Sequence, residues 1–119
     1  MSIAIPSPFV WDESFDVKDD YLNDQHKKLF TLISDLDANR DSAQHLKDLL
    51  DFVVKHFQDE ESRMHSHNYE EEASHKQTHA KFLEDAGKLA AVNDDVIQFV
   101  KNWLVTHIKV SDFKYIGKI

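Results

Sequence analysis

Apolar residues recur at three- and four-residue intervals through four stretches of the chain, and in every stretch a histidine or carboxylate interrupts the apolar face. In the first, Leu22, Leu29, Ile33 and Leu36 share one side of a helix, with His26 between the first two. The second runs Leu46, Leu49 and Val53 and then lands on His56 and Glu60. The third places His75 and His79 one turn apart, ahead of Phe82, Ala86 and Leu89. The fourth runs Val96, Val100, Trp103, Leu104 and then His107.

This rhythm predicts helices over residues 21–38, 43–64, from 70–72 to 87–91, and from 93 or 94 to about 110. Asp19 or Asp20 suits the first helix start, and Asn93 or Asp94 the last. Glu70, Glu71 and Glu72 suit the positive end of the third helix. The stretch 65–69 is too polar and irregular to continue the second. Residues 1–18 hold both prolines and the rings of Phe9 and Trp11, and read as an extended arm laid across the helices. The tail, 113–119, leaves the last helix by Gly117. Short connections between four helices predict an all-α, antiparallel up-down-up-down bundle spanning about 19–112, in one domain of 119 residues.

Composition narrows the chemistry. The net charge is −8, and the 14 Lys and Arg are dispersed among 22 acids, leaving no basic stripe for nucleic acid. No cysteine is present, so thiolate zinc sites, iron–sulfur clusters and disulfides are excluded. With no long apolar run and no charged leader, the expectation is a cytoplasmic protein without membrane contact. The dispersed charges favour a monomer, with a homo-oligomer as the alternative.

The inward polar residues need a common partner, because a buried carboxylate without one costs several kcal/mol or more. A lone histidine such as His26 reads first as a hydrogen-bonded core residue. The i,i+4 pairs His56/Glu60 and His75/His79 read differently, since each can chelate one ion from adjacent turns. Asp112 is left open by spacing. At i+5 from His107 it lies about 140° round an ideal helix, so it joins the cluster only if the helix changes or ends there, and otherwise it is a surface acid. His45, His65 and His67 have no such partners and read as solvent-facing. Glu72 and His75 form one Glu-x-x-His step, which reads better as an acid complementing a helix start. Seven donors are too many for one ion. Two six-coordinate ions held by five histidines, two bridging carboxylates and one bridging oxygen have every position filled but one, an arrangement suited to a small ligand such as O2.

Five segments carry a resemblance: 8–15 (PFVWDESF), 25–30 (QHKKLF), 56–60 (HFQDE), 75–79 (HKQTH) and 103–115 (WLVTHIKVSDFKY). The chain resembles the hemerythrins and myohemerythrins, non-haem di-iron oxygen carriers, over nearly its whole length. That resemblance implies two oxygen-bridged iron ions, with Glu60 and Asp112 as bridging carboxylates. It implies that His75, His79 and His107 complete one iron, and that His26 and His56 hold the other, whose free position takes O2. It also implies a dry pocket of Leu29, Phe57, Trp103, Leu104 and Ile108. Gln25 stands where relatives often carry an acid, and Ser74 where some carry proline.

The functional expectation is therefore reversible O2 binding for transport or storage rather than catalysis. Its alternatives are a di-iron protein that detoxifies or senses O2, peroxide or nitric oxide, and one that stores iron or sequesters metal. A catalytic site would need a proton-delivering group facing the open position, and the core pattern offers none.

Overall fold

A computed structural model of the chain describes residues 4–89 and 91–119. The first three residues of the expected arm, and Ala90 where the third helix was expected to end, lie outside the described residues.

Four helices form an antiparallel bundle: α1 (Asp20–Ala38), α2 (Ala43–Ser66), α3 (Glu72–Ala86) and α4 (Asp94–Thr106). Their starts follow from capping chemistry. Asp19 Oδ1 accepts the Leu22 N–H at 3.0 Å, Ser42 Oγ accepts the His45 N–H at 3.1 Å, and Asn93 Oδ1 accepts the Val96 N–H at 3.0 Å. Helix α3 alone begins without a side-chain cap. Helix α2 runs two residues beyond the expected end, through His65 and Ser66, because the Met64 carbonyl accepts the Tyr69 N–H and closes the turn over a positive-φ Asn68.

The apolar stripes meet in one core around Leu22, Phe30, Leu36, Leu49, Met64, Val105 and Ile108. In α4 the inward position is Ile97, at 1% exposure, with Val96 half-buried beside it. The arm packs as expected and goes further. Phe9 meets the Phe30 ring at 4.5 Å, while Phe15, held by the short 3-10 turn Glu13–Phe15, meets the same ring at 5.0 Å and is the more deeply buried. Trp11 is half-buried under the Lys27 ammonium, 4.5 Å from its ring. Among the described residues no helix is long and apolar enough to cross a membrane.

The end of α4 is irregular. His107–Ser111 form a π-helical turn, and Asp112–Tyr115 tighten into a 3-10 turn. The Asp112 N–H reaches back five residues to the His107 carbonyl and is shared with Ile108. A π turn holds more residues per cycle than an α turn, so residues five apart come onto one face. This wide turn is the physical reason Asp112 joins His107 inside the bundle, where it is fully buried.

Candidate metal centre

All seven expected donors converge in the bundle core, each at most 5% exposed. His26 comes from α1, His56 and Glu60 from one face of α2, His75 and His79 from α3, and His107 and Asp112 from the π turn and its end. The i,i+4 spacing works as the sequence predicts because neither α2 nor α3 is distorted at its pair.

The donors divide into two groups. In one, His75 Nε2 lies 2.9 Å from Glu60 Oε1 and 3.0 Å from Asp112 Oδ1, and His107 Nε2 lies 3.1 Å from the same Asp112 oxygen. His79 Nε2 is 3.2 Å from Glu60 Oε1 and 3.1 Å from His107 Nε2. In the other, the remaining oxygen of each carboxylate faces the remaining histidines: Asp112 Oδ2 is 3.2 Å from His26 Nε2, and Glu60 Oε2 is 3.4 Å from His56 Nε2 and 3.8 Å from His26 Nε2. Each carboxylate thus turns one oxygen to each group. Donor bonds of about 2.1 Å at right angles place neighbouring donors about 3 Å apart, and the edges of the first group have that length.

Hydrogen bonding accounts for only part of this packing, in the His75–Glu60 and His79–His107 contacts. Both Asp112 oxygens and both His26 ring nitrogens are buried without a hydrogen bond of acceptable geometry. Atoms at these distances but aimed past one another point to a shared centre, and nitrogen and carboxylate oxygen together suit iron, manganese, copper or zinc. Glu60, His75, His79 and His107 gather about one point and His26, His56, Glu60 and Asp112 about the other, with Asp112 Oδ1 also beside His75 and His107 of the first.

Without metal, the charges stabilise one another. Burial alone raises the Glu60 and Asp112 carboxyls, but the surrounding imidazoles hold both well below the ordinary carboxylate range. Burial lowers His26 and His75, and the two carboxylates more than offset it, raising each to about 9. His56 stays below its ordinary value because burial dominates.

The outer nitrogens show how the ligands are aimed. Gln25 Nε2 donates to Asp59 Oδ2 at 2.8 Å, which turns Gln25 Oε1 toward His56 Nδ1 at 2.7 Å. His56 must therefore carry its proton on Nδ1, leaving Nε2 free to bind. Asp59 also accepts from Tyr21 and Lys55, both at 2.8 Å. On the other side, His79 Nδ1 lies 2.8 Å from Glu61 Oε2. Two rings are also clamped by stacking, His79 on Phe57 at 3.8 Å and His107 on Trp103 at 4.4 Å.

Leu29, Phe57, Trp103 and Leu104 line a cavity of about 20 Å³ that touches His26, His56, His107 and Asp112. Ile108, the fifth expected pocket residue, is fully buried but is not part of this wall. Ile33, Leu49, Val53, Phe82 and Val100, which the apolar rhythm marks only as core, complete it.

Two polar partners escape sequence reading. Glu61 follows a ligand directly, but nothing in its spacing distinguishes it from other α2 surface acids. Tyr115 lies in the tail, where no helical period applies, yet its ring is buried and its hydroxyl donates to Glu60 Oε2 at 3.0 Å. Burial, reinforced by the charges of Asp112 and Glu60, holds that phenol far above its ordinary range, so it keeps its proton. Glu72 lies outside the cluster, paired with Lys76 at 2.8 Å and 3.4 Å from His65. His65 and His67 are exposed as expected, whereas His45 is half-buried because its Nδ1 lies 2.6 Å from the Ser42 hydroxyl.

Comparison with known proteins agrees with this geometry. The family model described as the hemerythrin HHE cation binding domain matches residues 17–119. A hemerythrin-like protein of Naegleria gruberi is 58% identical over 98% of both chains. Myohemerythrin-1 of Phascolopsis gouldii is 47% identical over 97% of this chain and 98% of that one. A crystal structure of wild-type hemerythrin, 31% identical, superposes with a TM-score of 0.87 over 92% of this chain and 95% of that chain. A bundle of this order, with a buried cluster able to bind cations and relatives matched end to end, makes this chain a member of the hemerythrin family.

Proposed function

We propose that this protein binds O2 reversibly at a pair of iron ions, for transport or storage, as a one-domain, cytoplasmic monomer without enzymatic activity. His75, His79 and His107 would hold one ion, His26 and His56 the other, and Glu60 and Asp112 would join the two. The observation that carries the reading is a pair of buried donor groups sharing the carboxylates, of which the one with only two histidines stands beside a cavity whose other walls are apolar. When bound, the iron pair supplies electrons to O2 and recovers them as the gas leaves.

The protein's own part is to protect that exchange. Leu29, Phe57, Trp103 and Leu104 keep water from the seat, and about 20 Å³ admits only a very small molecule. Gln25 and Glu61 fix the imidazoles, so little reorganisation accompanies binding. Beyond the ligands themselves, Tyr115 carries a proton beside the carboxylates, but its hydroxyl is committed to Glu60 and it does not line the cavity. A proton-driven reaction therefore lacks a donor at the seat.

The deciding measurement is the visible spectrum of iron-loaded protein through repeated cycles of oxygen and vacuum, with the iron content determined alongside. Colour that appears with O2 and fades on its removal supports the proposal. Irreversible oxidation in the first cycle overturns it in favour of an oxidant-consuming or iron-storing protein.

A further inference from the structure

A second opening reaches the cluster from the side of the three-histidine group. A cavity of about 130 Å³ is walled by Tyr69, Glu71, Ser74, Thr78, Ser111 and Lys114, with His75 at its base. By contrast with the O2 cavity, five of its six walls offer a carboxylate or a hydroxyl oxygen. Its volume exceeds the roughly 10–15 Å³ that one water occupies several times over.

His75 is the distinctive residue. Its Nε2 belongs to the buried cluster, 2.9 Å from Glu60 and 3.0 Å from Asp112. Its residue exposure is only 5%, yet among the described residues its Nδ1 has neither a hydrogen-bond partner nor a place among the sealed, partnerless nitrogens. Solvent therefore reaches it, through the polar cavity it lines. The other imidazoles differ: His56 and His79 are tied to Gln25 and Glu61, and the outer nitrogens of His26 and His107 are sealed from water.

We infer that this cavity is the loading port of the metal centre, where a hydrated divalent cation exchanges water for protein oxygen before His75 receives it. The inference rests on the metal-centre reading above. A buried site needs an entry path, and the two cavities are unequal as paths for an ion. Passing an ion between apolar walls strips its hydration without replacement. Glu71 supplies a hard anionic oxygen at the port, half-buried and, among the described residues, met only by the Tyr69 hydroxyl at 3.3 Å. Thr78 and Ser74 add hydroxyl oxygens one turn apart on α3, the helix that carries His75. Lys114, exposed at the rim, opposes entry, so it sets the rate without blocking the route. Gas and ion thus approach the cluster from different sides.

The test is the rate at which full-length, metal-free protein takes up Co(II) or Fe(II), followed by the absorption of the bound ion, and the rate at which a chelator removes it from loaded protein. Glu71→Gln and Thr78→Val preserve shape while removing the charge or the oxygen. Each is expected to slow uptake severalfold, and Glu71→Gln about tenfold, with an unchanged final metal count. Lys114→Met is expected to accelerate uptake. Uptake at the original rate in both Glu71→Gln and Thr78→Val overturns the inference, as does acceleration by Leu104→Ala, which would place the ion's path through the apolar cavity. The final metal count separates the two readings, because a chain that loads no ions fails as a metal centre, whereas normal content with unaltered rates removes only the port.

Discussion

Single side chains decide how the centre behaves, and Gln25 shows how much rests on one amide. Its Oε1 at 2.7 Å from His56 Nδ1 sets the proton position of a ligand. Gln25→Leu is expected to weaken metal binding at the His26/His56 group by about 10- to 100-fold, read by chelator competition, with that ion lost first. Equal retention of both ions would show that Gln25 only packs. Leu104, 4% exposed, lines the O2 cavity. Leu104→Ala opens the wall to water and is expected to raise the rate of irreversible oxidation after O2 binding, at a stability cost of about 2–5 kcal/mol. An unchanged oxidation rate removes Leu104 from the protective role. At this scale the ligands were largely legible, because a polar residue on an apolar helical face is conspicuous. Glu61 and Tyr115 were not, since an acid on a wet surface and an aromatic in a tail have ordinary explanations until the fold brings them to His79 and Glu60.

At the scale of elements, helix boundaries follow from caps, and the ligand geometry follows from helix regularity. Ser42 closes the start of α2, accepting from the His45 N–H at 3.1 Å and standing 2.6 Å from His45 Nδ1. Ser42→Ala is expected to cost about 1 kcal/mol, seen as a lower urea midpoint with unchanged slope and metal content. No loss of stability would mean that His45 or water replaces the cap. The π turn at His107–Ser111 was beyond sequence reading. Regular α periodicity puts Asp112 about 140° from His107, and only the resemblance to a family placed it inside. A π turn has no strong residue signature, because it is stabilised by what its wide geometry delivers to the core rather than by local preference. Similarly, the shift from Val96 to Ile97 on α4 reflects helix rotation set by packing against neighbours.

The whole molecule measures 41 × 27 × 27 Å, and its buried electrostatics belong to the assembled bundle. In the metal-free protein His26 and His75 are raised from 6.5 to about 9, so folding takes up their protons. The stabilisation they contribute is complete below about pH 6.5 and is lost as pH rises toward 9. Glu60 and Asp112 are shifted down, so their contribution is present above the ordinary carboxylate range and is lost as acid protonates them. Metal-free protein is accordingly expected to be most stable between about pH 5 and 6.5, with Tm falling on the alkaline side. Metal-loaded protein is expected to lack that alkaline decline, because ligated imidazoles bind no proton. Thermal melts of both forms across this range provide the check, and a metal-free Tm that is flat from pH 6.5 to 9 would contradict the assigned charges.

The sequence by itself determined the helices, their inward faces apart from the start of α4, and six of the seven metal-binding candidates, because periodicity is a local consequence of residue order. It also excluded thiolate chemistry and basic recognition through composition alone. Tertiary structure decided the rest. The two oxygens of each carboxylate face different groups of histidines, Tyr115 returns from the tail to Glu60, and one cavity is apolar while the other is polar. These are relations between residues far apart in the chain, 55 positions for Tyr115 and Glu60 and more for His26 and Asp112, and they come into existence only when four helices pack at a particular rotation about their axes.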